Sequence, residues 1–507
     1  MKALIDGDII VYRGAASSND EEQWIAQARA DSAAQVISAA GEAEAIRRKQ
    51  VSLNSTYIDY MKTQKWDGKL SMVTGNSNNL IDVSKLMDKK IKILTISDHP
   101  LSPSGVGTQT RYMIEAMLKT GKYQFVSLGG AVKHNDYRIQ KTDQWGDDFV
   151  IIPVDGYGTQ DLIRQLLKQQ KPDILWFMTD PRFYGWLWEI EDEIRCNVPM
   201  IYYHVWDNKP YPKFNKPFYV SNDVIATISK VTDDIVRNVA PEVETHYIPH
   251  GVDMNIFMKY PQQQIAEFRK RVFPSENGKK FTVFWNSRNA RRKNPGSVIW
   301  WFNDFLNVVG KDKAKLLMHT DPKDMHGPDL EAIINELGLV NGEVMFSPSR
   351  IGPQDLAAMY NMADVTVSLS DAEGFGLSTL ESLACETPII VPQTGGLQEQ
   401  VKNDEGEYFG VELPITSQMI VGSQDVPFIY EDRVGKEDFI NALLKLYNMP
   451  QNEREMLGKK GRMHLEKNYN LGILMKKWDD LFTNICEKHG SWETRKNYNR
   501  WTLKEIA

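Results

Sequence analysis

The chain predicts an α/β fold of two doubly wound parallel-sheet domains with a small N-terminal α/β extension, and three observations carry that prediction. Apolar strands alternate with helical stretches from residue 91 to about residue 465. A strand-first pattern starts twice, at Ile91-Lys-Ile-Leu-Thr-Ile96 and at Phe281-Thr-Val-Phe-Trp285. The segment Asp371–Pro392 is itself a strand–loop–helix–strand unit, with Val365–Ser370 before it and Ile389-Ile-Val391 after Pro388. Strands alternating with helices in this way indicate parallel sheets.

In chain order, residues 1–88 form the extension. Lys2–Asp6 and Ile9–Tyr12 read as a strand and its continuation, residues 21–50 as helix, and Lys69–Val73 as a second strand. Residues 89–258 form the first domain. After its opening strand come Ser97–Gly107, a helix from about Thr108 to Leu118, a helix at Asp161–Gln169, and strands at Asp173–Phe177, Pro199–Tyr203 and Val224–Ser229. The polar stretch 254–280 reads as a crossover, and residues 259–465 form the second domain. Residues 466–486 hold an amphipathic return helix, Leu471–Ile485, and 487–507 a basic-aromatic tail with Trp492, Arg495, Lys496, Arg500 and Trp501.

The 507 residues are 42% apolar and 25% charged, a globular composition. A formal charge of −7 argues against a uniformly basic nucleic-acid binder while allowing a local basic groove. Three scattered cysteines supply neither a disulfide framework nor a zinc site and fit a reducing compartment. No run reaches membrane-span length, and the first residues lack the apolar core of a signal peptide, so the expectation is a cytoplasmic protein, in a host cytoplasm if the source is viral.

The chemistry concentrates at strand ends. Glu373 and Glu381 flank the glycine-rich turn Gly374-Phe-Gly376 that opens a helix. Free N–H groups from Gly376 through Leu377 and Ser378 to Thr379 suit a phosphate or diphosphate. Arg288 and Lys293 follow the first strand of the second domain and can hold a departing diphosphate, although such a charge run is about as often only a solvated surface. His204 ends the strand Ile201–Tyr203, with Asp207 three residues on; His250 lies in a turn with Gly251 and reads as structural. Ser104-Gly105-Val-Gly107 is a glycine loop at the first strand–helix junction, preceded by Asp98 and His99. Alone, it signifies only a tight turn that needs a left-handed backbone.

The spacing Glu373-x7-Glu381, with Arg288-x4-Lys293, His204 and the glycine loop in order, resembles the donor site of retaining GT-B glycosyltransferases of the GT4 type. The resemblance covers roughly residues 91–485 and implies two Rossmann-like domains facing a cleft. It departs at two positions, where Ser287 and Asn294 stand for the usual flanking glycines. It implies Glu381 on ribose hydroxyls, Glu373 on the sugar, Arg288 and Lys293 on the diphosphate, and His204 on donor sugar or acceptor. Gly374, Phe375, Gly376, Leu377 and Ser378 would line the donor, and Arg350 and Ile351 would meet the nucleotide base. Gly105, Gly107, Asp98 and His99 would form the acceptor side, and Gly395-Gly396 with Glu399 would be mainly structural. The donor would be a UDP- or GDP-linked sugar, with no metal and no further cofactor required.

Leu4–Arg13 resembles the opening strand of phage 5′-3′ exonucleases, in which an early aspartate, here Asp6, binds metal. The carboxylate cluster needed to hold two metal ions is not visible downstream, so a truncated or repurposed module is expected. That setting makes a hydroxymethylated base of phage DNA one acceptor expectation, with tail residues such as Arg495 and Arg500 on a strand. A saccharide, lipid or protein acceptor is the other. A silent nucleotide-sugar or nucleic-acid binding module is the alternative class.

Overall fold

The computed structural model describes residues 4–6, 9–11, 89–274, 276 and 278–500. Expectations placed on the remaining residues, including the 21–50 helix, the 69–73 strand and Trp501, lie outside the described residues. Strands β1 (Leu4–Asp6) and β2 (Ile9–Val11) pair antiparallel, Leu4 opposite Val11. They therefore form an antiparallel pair rather than a strand and its continuation. This pair belongs to one compact unit, and residues 89–134 with 140–500 to another.

The larger unit contains two doubly wound sheets, the GT-B architecture. Its first sheet holds β3 (Ile91–Asp98), β4 (Tyr123–Gly130), β5 (Gln140–Lys141), β6 (Phe149–Pro153), β7 (Ile174–Met178), β8 (Met200–His204), β9 (Val224–Thr227) and β10 (Glu244–Tyr247). Their order is β10-β9-β8-β7-β3-β4-β6-β5, and only the edge pair β5–β6 is antiparallel. The second sheet holds β11 (Phe281–Asn286), β12 (Ala314–His319), β13 (Val344–Phe346), β14 (Val365–Val367), β15 (Ile389–Pro392) and β16 (Gly410–Leu413). It is wholly parallel in the order β13-β12-β11-β14-β15-β16. The chain reverses its direction of winding between β11 and β14, and ligands bind outside the carboxyl ends of strands at such a switch point.

Both sheets are buried on both faces, which explains their near-continuous apolar runs. Ile93, Trp176 and Ile201 pack in one core and Val283, Trp285 and Ile390 in another, all at most 1% exposed.

Several elements differ from the sequence expectations. The helix expected from Thr108 spans Gly105–Leu118, because Ser104 caps it by accepting from Gly107 N at 3.0 Å. The crossover contains a helix, Gln262–Val272, whose Ile265, Phe268 and Val272 pack on the core at helical spacing. Strand β14 ends at Val367 rather than Ser370; Asp371 has left the sheet and its N–H donates to Arg292 O at 2.8 Å. An antiparallel hairpin, β17 (Ile415–Val421) and β18 (Ile429–Val434), follows β16.

The return helix runs Leu471–His489, capped by Asn470, and crosses to the first domain. Trp478 meets Trp176 and Tyr203, and Tyr123 donates to Asp479 at 2.6 Å. The tail then docks on the first domain rather than running free. Arg495, with a side chain 5% exposed, pairs with Asp223 at 2.7 Å, Trp492 donates to Pro172 O, and Arg500 pairs with Asp192 at 3.3 Å. Among the described residues no helix is long and apolar enough to cross a membrane.

Candidate active site

The loops after β11 and β14 meet at the switch point and are tied to each other. Lys293, with its side chain 11% exposed, forms an ion pair with Glu373. Arg292 donates to Ala372 O at 2.8 Å. Asn294 adopts the left-handed conformation, φ 51°, and its amide bonds Leu369 O at 2.8 Å and Asp371 at 2.5 Å. Asparagine is among the few side chains that tolerate this backbone, so Asn294 does the conformational work of the expected glycine and adds a tether.

Burial alone would push the Glu373 carboxyl up, but Lys293 and then Arg292 outweigh it and hold it below the usual range. Burial lowers the Lys293 ammonium, against the pull of Glu373. The pair thus places an ionised carboxylate and a desolvated cation where the sheet opens.

The helix Leu377–Ala384 starts beside them. Its N-cap, Gly376, has φ 93° and no side chain to satisfy the first N–H groups, which leaves them for an anion. Gly376 and Gly395 are required by space as well as by their backbone. A Cβ on Gly376 would stand 2.5 Å from Leu397 Cδ2, and one on Gly395 1.9 Å from Glu373 O. Gly396 N donates to Glu373 O at 3.0 Å, so the expected structural role of Gly395-Gly396 is to hold the Glu373 loop from behind.

Glu381 lies one turn into this helix and accepts from Tyr360 at 2.8 Å; Tyr360 in turn accepts from Asn286 at 2.8 Å. Burial raises the Glu381 carboxyl to about 7. The field of Glu381 also reaches Tyr112 on the first-domain helix, raised to about 12 by burial and then by Glu381. Across the cleft, a Cβ on Gly105 would stand 3.1 Å from Leu377 Cδ1, so the two glycine-bearing helix starts face each other.

Several expected site residues need correction. His204 ends β8 as expected but is 0% exposed, closed in by Tyr202 and Tyr219, with Nε2 bonded to the Tyr219 hydroxyl at 2.7 Å. Burial depresses it to about 3, so the ring is neutral and does not open to the cleft. Its chain neighbours do reach the donor loop: a Cβ on Gly374 would stand 3.0 Å from Val205 O and 4.0 Å from Asp207 Oδ2. Asp207 is raised to about 6 by burial, tempered by Arg292, and senses Glu373 and Lys293. Phe375 is 2% exposed between His250 and Tyr469, so its ring is core and only its backbone belongs to the loop.

Arg288 is 61% exposed and paired with Asp324 at 2.6 Å, so it is a rim cation rather than a twin of Lys293. Asp98 is engaged inside its own loop by Ser104 at 2.6 Å and Tyr157 at 2.9 Å. His99 Nδ1 accepts from Leu101 N at 3.1 Å. Gly107 does not have a positive φ; it is needed because a Cβ would stand 2.4 Å from Ser102 Oγ. Arg350 is exposed and Ile351 half-buried in the turn beyond β13, two strands from β11. Glu399 is structural, accepting from Lys230 N and the Tyr247 hydroxyl of the first domain, both at 2.9 Å.

Sequence reasoning gave no site role to Arg292, Tyr360 or the β17–β18 hairpin. Asp207 carried one signal, its place three residues beyond a strand-end histidine; Tyr360 carried none.

Two Rossmann-like domains with this switch-point site define a GT-B molecule. Residues 270–464, most of the second domain, match the family described as Glycosyl transferases group 1. Over 170 residues the chain is 31% identical to alpha-monoglucosyldiacylglycerol synthase of Streptococcus pneumoniae, covering 33% of this chain and 37% of that protein. Over 163 residues it is 40% identical to D-inositol 3-phosphate glycosyltransferase of Acidothermus cellulolyticus, covering 31% and 35%. The matches thus span little more than a third of the length of these curated relatives. Among solved structures, sucrose-phosphate synthase from Thermosynechococcus elongatus superposes with a TM-score of 0.63 at 18% identity, covering 78% of this chain and all of that one. Anabaena Alr3699/HepE, solved in complex with UDP and glucose, gives 0.58 at 14% identity, covering 78% and 99%. These two likenesses bear on the fold.

Proposed function

We propose that the protein is a retaining glycosyltransferase of the GT4 type that moves a sugar from a UDP- or GDP-linked donor to an acceptor hydroxyl. The observation that carries this reading is the buried Lys293–Glu373 pair at the β11/β14 switch point, beside an uncapped helix start. The diphosphate lies against the N–H groups of residues 377–379 and the Lys293 ammonium, with Arg288 at the rim. Ribose hydroxyls donate to the Glu381 carboxylate, and Glu373 orients the sugar. The bond from the anomeric carbon to the diphosphate oxygen breaks as the acceptor oxygen bonds that carbon on the same face. The acceptor proton leaves with the diphosphate. Fixed cations and N–H dipoles aimed at the leaving oxygens stabilise the charge that develops there.

A UDP-hexose donor is favoured by the UDP-glucose complex of Alr3699/HepE. For the acceptor, the buried ion pair of Arg495 withdraws that tail cation from a DNA strand, which favours a saccharide, lipid or protein hydroxyl over a hydroxymethylated base. The test is nucleoside diphosphate release from a panel of sugar nucleotides with a glycerolipid, a sugar phosphate, or hydroxymethylated DNA. Acceptor-stimulated release with the first or second is expected. A donor that binds in calorimetry without release under any condition points instead to a silent binding module, and no binding at all overturns the donor site.

A further inference from the structure

The β17–β18 hairpin is barely held by the core. Met419 and Ile420 on β17 are 55% and 59% exposed. A two-stranded ribbon is marginal by itself in water, so its anchors define its place, and those anchors converge on the active site. Arg433 grips both oxygens of Asp371, at 3.0 and 2.9 Å, and Asp432 N donates to Asp371 O at 3.0 Å. Glu431, 4% exposed, pairs with Arg433 at 2.7 Å and with Arg291 of the β11 loop. Thr394 donates to Asp432 at 2.6 Å.

The same strand reaches the first domain. Tyr430 N donates to Lys209 O at 2.5 Å, Asn208 donates to Tyr430 O at 3.0 Å, and Phe428 meets Phe214 at 5.3 Å. One short strand therefore bonds a residue two positions from Glu373 and a residue next to Asp207. We propose that the hairpin is a strap that sets the separation of the Glu373 and Asp207 loops across the cleft, with Arg433 as the positioning residue for Glu373. Asp371 is buried, so Arg433, whose Nη1 reaches both of its oxygens, together with Asn294 decides where the backbone leading to Glu373 lies.

The activity arm of the test rests on the glycosyltransferase reading; a second arm does not. Arg433→Gln is expected to lower kcat about 10–100-fold, the scale of a ~1 Å misplacement of reacting groups, with donor KM within about twofold, and Arg433→Lys to restore part of it. In hydrogen exchange, amides of residues 369–376 are expected to exchange faster in Arg433→Gln and in Asn208→Ala, while those of β3 and β4 keep their wild-type rates. A variant that only melts lower, with wild-type kcat per folded molecule and wild-type exchange at 369–376, overturns the strap. If the wild-type protein turns over no sugar nucleotide, the functional reading fails while the exchange result still decides the strap.

Discussion

The loop after β3 and the loop after β14 each leave a strand that flanks the switch point of its own sheet, and each leads into a glycine-bearing helix start. They are held in opposite ways. The first satisfies itself: Asp98 accepts from Ser104 and Tyr157, and Ser104 caps its own helix. The second is held from outside by Lys293, Arg292, Arg433 and Gly396, and its helix start is uncapped. A loop whose carboxylate and first helix N–H are already satisfied leaves few open groups for an anion. A loop whose donors are left open beside a buried cation is suited to an anionic donor. Under the proposed function, this asymmetry gives the donor to the second loop and the acceptor to the first.

The largest test of that division is Lys293→Met. Removing the cation strands a buried Glu373 carboxylate, at a cost of about 3–5 kcal/mol, and turnover should fall ~10³-fold or more. The double variant Lys293→Met/Glu373→Gln should regain most of the melting temperature without regaining turnover. Recovery of both would make the pair merely structural and erase the contrast. Next is Gly395→Ala, which places a Cβ 1.9 Å from Glu373 O at a φ of 48°. The left-handed backbone alone costs a non-glycine residue about 1–2 kcal/mol. The clash pushes the Glu373 backbone forward, and kcat should drop ~100-fold by the same misplacement argument.

A smaller effect should come from Glu381→Gln, read as a pH dependence. The buried Glu381 carboxyl titrates at about 7, above its ordinary 4.5. A raised acid favours the fold below pH 4.5, and that contribution is lost as pH rises through about 7, so stability relative to the Gln variant should grow on acidification. Ribose hydroxyls need the ionised form. Donor affinity should therefore weaken about fivefold from pH 7 to 6 in the wild type and stay flat in Glu381→Gln, measured by calorimetry. A flat wild-type profile would remove Glu381 from the ribose.

The sheets were legible because buried parallel strands leave apolar runs, and Glu373, Glu381 and Lys293 could be singled out as candidates because spacings local to a strand end and helix start survive folding. Orientation was not. His204 and Tyr203 are neighbours on β8, and nothing in the pattern Ile-Tyr-Tyr-His tells that the histidine turns towards Tyr219 while Tyr203 turns to His250. Arg288 and Lys293 look alike as letters; only the fold puts one beside Asp324 on the rim and the other beside Glu373 inside. The hairpin was missed because its anchors, Asp371 and Arg291, lie 62 and 140 positions away from their partners Arg433 and Glu431.

The smallest effect separates the two loops most finely. Gly105 and Gly395 both sit where a helix start approaches another loop, yet a Cβ at Gly105 meets only the far end of the Leu377 side chain, at 3.1 Å. Leucine can shift by a few tenths of an ångström through its own rotamer, and Gly105 has no positive φ to strain a larger residue. Gly105→Ala should therefore cost no more than about 0.5–1.5 kcal/mol, the scale of one side chain held off its rotamer, and change donor affinity by only a few-fold. Gly105→Val cannot be absorbed by one leucine terminus, and by narrowing the gap to the donor helix start it should weaken acceptor use more than donor hydrolysis. Measuring both rates on that variant decides the comparison: an equal loss in each would place Gly105 on the donor side, and the first loop would no longer be the acceptor wall.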